Sequence, residues 1–411
     1  MKRLLSAAIA AALTLIVLAP RASLSGENKN LPPFWSDLKP GPYQVGFRTL
    51  YRRDRNRKWF KTAEAADPGR PIMINVWYPG APAKNAQPMT YGDYLHHQAP
   101  ADFKEVIQNL DKNEHESWLA DLREVAPPGD VLLEKVLTTP VAAYPGPPPA
   151  SGKFPLLLYS SGKAARSDSN LELGEYLASH GYIVVTVPQL GPSDQELELG
   201  SSPQELALHA DDFDSALSFL REIPEIDFAH IAAAGHSAGG EVAAELALRH
   251  PEIRAVIGLD ASYGMASGAR IFRQLKEYER GRIVNAALLD LRRADGAQGV
   301  KLDLSAIDSL HWATSFRVTY PNAYHGDFTE WGMLAYHLSI PMPANPYRHT
   351  RQVGYRVNIS ACHAVLDFLD AELRARGQVL KHLEADANHG SGKLTAVVSL
   401  QESPGRPPSS R

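Results

Sequence analysis

From Phe154 onward the chain alternates short, β-branched apolar runs with stretches of helical periodicity, and no other feature limits its fold so tightly. The runs are LLLYS (156–160), YIVVTVP (182–188), HIAAAG (230–235), AVIGLD (255–260), IVNAALLDL (283–291) and TSFRVTY (314–320). Helical periodicity covers Asn170–His180, Pro203–Arg221, Ala238–His250, about Ala269–Arg280 and Ser360–Arg374. A strand that is apolar along its whole length is buried on both faces, so the pattern predicts an α/β fold: a mostly parallel central sheet with helices on both faces. Two earlier strands are expected at Gln44–Leu50 and Ile72–Tyr78, with the basic YRRDRNRKW (51–59) as a solvated turn between them. Residues 79–153 hold few strand signals. They carry a polar, helical-looking piece from Tyr91 to Leu133 and the Pro-rich connector AAYPGPPPASGKFP (142–155), and read as a segment inserted at about 85–150, before the first parallel strand. The polar, Pro-containing stretch 385–411 is expected to be disordered.

Composition narrows the function classes. With 411 residues, 44% hydrophobic and 21% charged, the chain is an ordinary globular one, not a collagen, a coiled coil or a disordered chain. A formal net charge of −4 supplies no basic field for a phosphate backbone, so no nucleic-acid partner is expected. Cys362 is the single cysteine, which rules out an intramolecular disulfide and a cysteine zinc site. Met-Lys-Arg at 1–3 ahead of the apolar run Leu4–Ala19 predicts a signal peptide at 1–25, with Ser23-Leu24-Ser25 as the best small-x-small cleavage match, and so a secreted or periplasmic protein. Left uncleaved, residues 4–19 would be the route to a membrane, although the run is shorter than the roughly 20 residues of a span.

The chemical signal is GHSAGG, Gly235 to Gly240, between a predicted strand and a predicted helix. A serine hydroxyl is a weak nucleophile until a base takes its proton, so it must project where a histidine can reach it. A sharp strand-to-helix turn achieves this by straining the serine, here Ser237. Side chains two residues to either side would crowd such a turn, which explains Gly235 and Gly239. His236 is adjacent to the nucleophile but is expected to point away from it. The helix starting at Ala238 aims its first amides where an oxyanion would form. The second oxyanion amide is expected from Lys163 in YSSGKAARS (159–167), where Gly162 permits a tight backbone.

The acid and base should follow along the chain in the order Ser, Asp/Glu, His. Asp260 ends the next strand, on the same sheet edge as Ser237, though capping of the next helix is a competing role. Asp290 and Asp295 occupy the rival position one strand later, and Asp290 falls inside an apolar run. Of fifteen histidines, His325 in YPNAYHGDF (320–328) follows the last strand, where a loop can return over the sheet edge. His311 precedes that strand, and His337 and His349 lie further on in a lid-like segment. Together the parts specify acyl transfer: Ser237 attacks a carbonyl, His325 shuttles the proton and Asp260 orients the imidazolium, with no metal and no cofactor.

These residues resemble an α/β-hydrolase, and more narrowly the platelet-activating-factor acetylhydrolase and bacterial dienelactone-hydrolase-like group. The resemblance runs from about Gly41 to Leu383, through GPYQVGFRTL, VWYPG, LTTP, FPLLLYSSG, LASHGYIVVTVP, GHSAGG, GLDA and the YHGDF region. It implies one α/β-hydrolase domain at 41–383, carboxylic-ester hydrolysis without a metal, and an acid on the strand directly after the nucleophile helix, which is Asp260. Two departures lie beside the pocket. The group's Ser-His-Gly reads Ser160-Ser161-Gly162, and PQLG (188–191) replaces charged or histidine residues. The expected function is therefore that of an exported serine esterase acting on a small-molecule or lipid ester. A serine peptidase on the same fold would use the same triad order, although 1–150 is too short for the propeller such peptidases often carry. A catalytically silent binding protein would be expected to lack a triad member. GSGKL (390–394) lacks the residues and the strand of a phosphate loop, and His96-His97 lacks metal-ligand spacing. DDFD (211–214) is expected on a solvated helix, and WGMLAYHLSIP (331–341) either caps an acyl pocket or packs into the core.

Overall fold

The structure, a computed structural model, describes residues 32–35, 37–59, 67–95, 98–125, 130–192, 199–339, 349–376 and 397–401. The expected signal peptide, His96-His97 and GSGKL (390–394) lie outside these residues. The strands are β1 (Gln44–Asp54), β2 (Arg70–Gly80), β3 (Ala143–Pro145), β4 (Phe154–Ser160), β5 (Ile183–Thr186), β6 (Ile226–His236), β7 (Ile253–Leu259), β8 (Ile283–Val284), β9 (Ala287–Arg293), β10 (His311–Trp312), β11 (Ser315–Tyr320) and β12 (Val397–Gln401). The helices are α1 (Tyr91–Tyr94), α2 (Lys104–Val125), α3 (Asp130–Leu137), α4 (Leu171–Ser179), α5 (Pro203–Leu220), α6 (Ala238–Arg249), α7 (Ala266–Phe272), α8 (Glu330–His337) and α9 (Arg351–Arg374).

Ten strands form one sheet in the order β12-β11-β9-β7-β6-β4-β5-β2-β1-β3. The segment from β11 to β5 is parallel throughout, whereas β1 and β2 form an antiparallel hairpin whose β2 runs antiparallel to β5. The pleat divides the core between two faces. Leu156 and Leu158 of β4 join Ile231 and Ala233 of β6 beneath α5 and α6. Leu157 and Tyr159 join Ala232 and Ala234 beneath α4 and α9. Because each face is covered by helices, both side-chain sets are apolar, which is the pattern the sequence displays.

Several boundaries differ from expectation, each for a local reason. IVNAALLDL divides into β8, which pairs with β10 in a small second sheet, and β9 in the main sheet. Part of the expected disordered stretch 385–411 is ordered: Val397–Gln401 pairs antiparallel with β11, covering backbone groups that would otherwise form an open edge. The inserted segment is bound into the domain. Val106, Ile107 and Leu110 of α2 pack on Trp59, Met73 and Leu190, and Trp118 enters the core beneath α4 and α9. In DDFD, Asp211 and Asp214 pair with Arg249 near solvent, but Asp212 is buried against Arg70 and Phe213 lies in the core. Met333 and Leu334 of α8 are core residues as well.

Glu241 lies one turn along α6 from Ser237, fully buried, with neither carboxylate oxygen hydrogen-bonded. Burial, and then the charge of Glu245, push its pKa up to about 8. A folded-state value raised above the unfolded one means that this contribution to stability is complete below about pH 4.5 and is lost as pH rises through about 8. The thermal midpoint should therefore fall more steeply between pH 5 and pH 9 in the wild type than in Glu241→Gln. Parallel melting-temperature curves would refute a carboxyl kept neutral by the fold.

Candidate active site

The parallel strands all end on one edge, which in an open α/β sheet is where functional groups collect. At the end of β6 the backbone turns into α6 through Ser237, whose φ of 54° and ψ of −124° place it in the left-handed half of backbone space. The turn leaves no room for neighbours. A Cβ on Gly235 would lie 2.1 Å from the Gly239 carbonyl oxygen, and one on Gly239 would lie 2.0 Å from that of Ser160. Ser237 is anchored by its own amide to the Leu259 carbonyl (3.1 Å) and by its carbonyl to the Ser262 amide (2.8 Å). Its hydroxyl lies 3.3 Å from that of Ser262.

His325 reaches the same edge from the turn after β11, and its Nδ1 donates to Asp260 Oδ2 at 2.6 Å. The Asp260 carboxylate is buried, whereas the His325 ring is about one third exposed. Burial alone would raise the Asp260 pKa, but the hydrogen bond and charge of His325 and the guanidinium of Arg293 outweigh it and hold the carboxyl below its ordinary value. The structure thus brings Asp260, and not Asp290, to the imidazole. Asp290 is buried within β9 and bound by Arg292 and Arg317, with the Tyr263 hydroxyl at 3.3 Å. Asp295 accepts the Leu302 amide, and His311 is exposed on β10. His337 packs against Phe34 and Tyr355.

His325 is held at both its amide and its carbonyl. His236 Nε2 donates to the His325 carbonyl at 3.0 Å, and Gln298 Oε1 accepts the His325 amide at 3.0 Å. His236 makes no hydrogen bond to Ser237, yet it stays in the site, its ring 4.4 Å from that of His325. Burial, and then the neighbouring His325, drive the His236 pKa down to about 3, so it is neutral at ordinary pH. Farther along the turn, Asp327 accepts the Tyr324 amide and pairs with His349 Nε2 at 2.8 Å, while Tyr324 stacks on the His349 ring. His349 therefore braces the turn that carries His325.

The loop after β4 closes on the serine. A Cβ on Gly162 would lie 3.1 Å from that of Ser237. The two sequence departures meet here: Gln189 Nε2 donates to the Gly162 carbonyl (2.7 Å), the Ser161 carbonyl (3.2 Å) and the Ser161 hydroxyl (3.1 Å). In a trans peptide the C=O and N–H point opposite ways, so binding the Gly162 carbonyl turns the Lys163 amide away from Gln189. The Lys163 ammonium itself reaches out to Ser201 Oγ (3.2 Å) at the exposed rim. Ala238, the other expected oxyanion donor, is the first residue of α6. Of the six non-glycine residues with positive φ among those described, Ala164, Ser237, Asp260 and Gln298 are all at this site, a concentration of strain typical of a functional centre. Sequence reasoning missed Arg293, Gln298 and Ser262 and the bracing roles of His236 and His349; of the additional residues, only Gln189 carried a signal, as a departure from pattern.

A mostly parallel sheet with a strained serine at the strand-to-helix turn, and a later aspartate–histidine pair at the same edge, defines an α/β-hydrolase fold. Comparisons with known proteins agree. A family model described as Chlorophyllase matches residues 134–283, which include Ser237 and Asp260. Chlorophyllase-1, chloroplastic, from Citrus sinensis is 34% identical over 128 residues, 28% of this chain and 35% of that protein. The chain thus spans about a third of the length of this curated relative. The structure of a ferulic acid esterase from Streptomyces cinnamoneus superposes with a TM-score of 0.58 at 21% identity, covering 88% of this chain and 97% of that one.

The acid assignment separates cleanly by reactivity and stability. A fluorophosphonate probe should label Ser237, and Asp260→Asn should slow that labelling by about 100-fold or more. Asp290→Asn should lower the melting temperature, because it weakens a buried charge cluster, yet leave the labelling rate within a few-fold. The reverse pattern would place the acid at Asp290.

Proposed function

We propose that the protein is a serine hydrolase that cleaves carboxylic esters through an acyl-enzyme. The observation that carries this reading is the 2.6 Å pair between His325 and a buried Asp260, set on the same sheet edge as a serine in a strained strand-to-helix turn. His325 Nε2 takes the Ser237 proton as Oγ attacks the ester carbonyl, and the Asp260 carboxylate stabilises the imidazolium. The amides of Lys163 and Ala238 receive the oxyanion, the leaving alcohol takes the proton from His325, and water activated by the same ring releases the acid. Gln189 supports the reaction indirectly by fixing the Lys163 peptide.

The finer reading is an exported enzyme of short-chain or lipid-type acyl esters, similar to the platelet-activating-factor acetylhydrolase group. Its supports are the motifs at Gly235–Gly239 and Asp260 and the charged, then apolar, N-terminus. Among the described residues no helix is long and apolar enough to cross a membrane. N-terminal sequencing of the mature protein should find it starting near Gly26; an intact residue 1 on a membrane-bound protein would mean an uncleaved anchor at 4–19, and an intact residue 1 on a protein confined to the cytoplasm would remove the export reading.

p-Nitrophenyl acetate, butyrate and longer esters, assayed beside an aminoacyl-nitroanilide, test the chemistry. Chlorophyll and a ferulate ester, suggested by the names of the similar proteins, extend the panel. Ester turnover should exceed anilide turnover and fall by several orders of magnitude in Ser237→Ala and His325→Ala. Gln189→Ala should lower kcat by about 10- to 100-fold with little change in KM, the signature of a displaced oxyanion donor. Anilide preference would point to a peptidase, and no turnover at all to a binding protein.

A further inference from the structure

Arg293, the last residue of β9, enters the site beside the acid, its side chain about 5% exposed. Its amide donates to Asp260 Oδ1 at 3.2 Å, and its Nε lies 3.0 Å from Asp260 Oδ2, the oxygen that also takes His325 Nδ1. Nη1 donates to Gln298 Oε1, the same atom that accepts the His325 amide. Nη2 points at Met265 Sδ, 3.9 Å away. One guanidinium therefore touches the acid directly and holds the peptide of the base through a single amide side chain. Gln298 has a left-handed backbone, φ 52°, inside the short 3-10 turn Ala297–Gly299.

A carboxylate orients an imidazole through a fixed plane and through its negative charge, and an adjacent guanidinium strengthens the first while offsetting the second. We propose that Arg293 is a positioning residue of this site, locking the Asp260 carboxylate and coupling it through Gln298 to the His325 turn. This rests on the serine-hydrolase reading above.

The test compares full-length wild type with Arg293→Met, Arg293→Lys and Gln298→Ala. The readouts are the downfield NMR resonance of the His325 Nδ1–H that bonds Asp260 and the separate kcat and KM for p-nitrophenyl butyrate. Arg293→Met should shift and broaden that resonance and lower kcat about tenfold with little change in KM. Arg293→Lys should keep kcat low, because a point charge cannot reproduce the guanidinium fork. Gln298 is exposed, so Gln298→Ala should fold normally and lower kcat several-fold with little change in KM. An unmoved resonance in Arg293→Met overturns the proposal, as does a Gln298→Ala enzyme with wild-type kcat, the deciding result should Arg293→Met not fold. Absence of ester turnover in the wild type would instead overturn the hydrolase reading, and the resonance would still decide the positioning role of Arg293.

Discussion

Between β6 and α6 the backbone has to reverse course within one residue while two neighbouring segments press against it. The carbonyls of Ser160 and Gly239 occupy the space where side chains at 239 and 235 would go, so both positions must be glycine. The residue between them takes a φ that an L-amino acid avoids at a cost of about 1–3 kcal/mol. That strain is borne by β7 and the turn after it, through the Ser237 amide on Leu259 and the Ser262 amide on the Ser237 carbonyl. The rest of the site is arranged around the hydroxyl this bend presents: the β4 loop behind it, the first turn of α6 beside it and the His325 turn on the same edge.

The second requirement is an imidazole that does not wander. His325 sits on a short turn about one third exposed to solvent, where a loop left to itself would be mobile. Side chains from three strand ends or following loops restrain it. Asp260 fixes the ring, His236 holds the carbonyl, and Gln298, itself tied to Arg293, holds the amide. Asp327 and His349 brace the next residues. A neutral His236 suits this work, because a donor that gained charge with falling pH would repel the ring it supports.

Much of this architecture was legible in the sequence. Continuous apolar runs identified the parallel strands because both faces are buried, and GHSAGG marked the bend because sterics leave few alternatives to glycine. Position together with the resemblance favoured Asp260 over Asp290 as the partner of His325: a carboxylate inside an apolar strand needs cations, and Asp290 has Arg292 and Arg317. Other features were not legible. Arg293 and Gln298 belong to a strand end and a loop with no spacing rule, and their partners come from segments 27 to 33 residues away. His236 carries no local signal of its role, because its partner is 89 residues downstream. Val397–Gln401 lacked the length and context of a strand, and its pairing depends on the edge that β11 offers.

The central claim, that the bend at Ser237 and the turn at His325 act on one reacting atom, is tested most directly by a crystal structure of the protein treated with an alkyl phosphonate. The account predicts phosphorus bonded to Ser237 Oγ, a phosphonyl oxygen within hydrogen-bond distance of the Lys163 and Ala238 amides, and His325 Nε2 beside the adduct. Phosphorus on another side chain, or an imidazole turned away from it, would contradict the account.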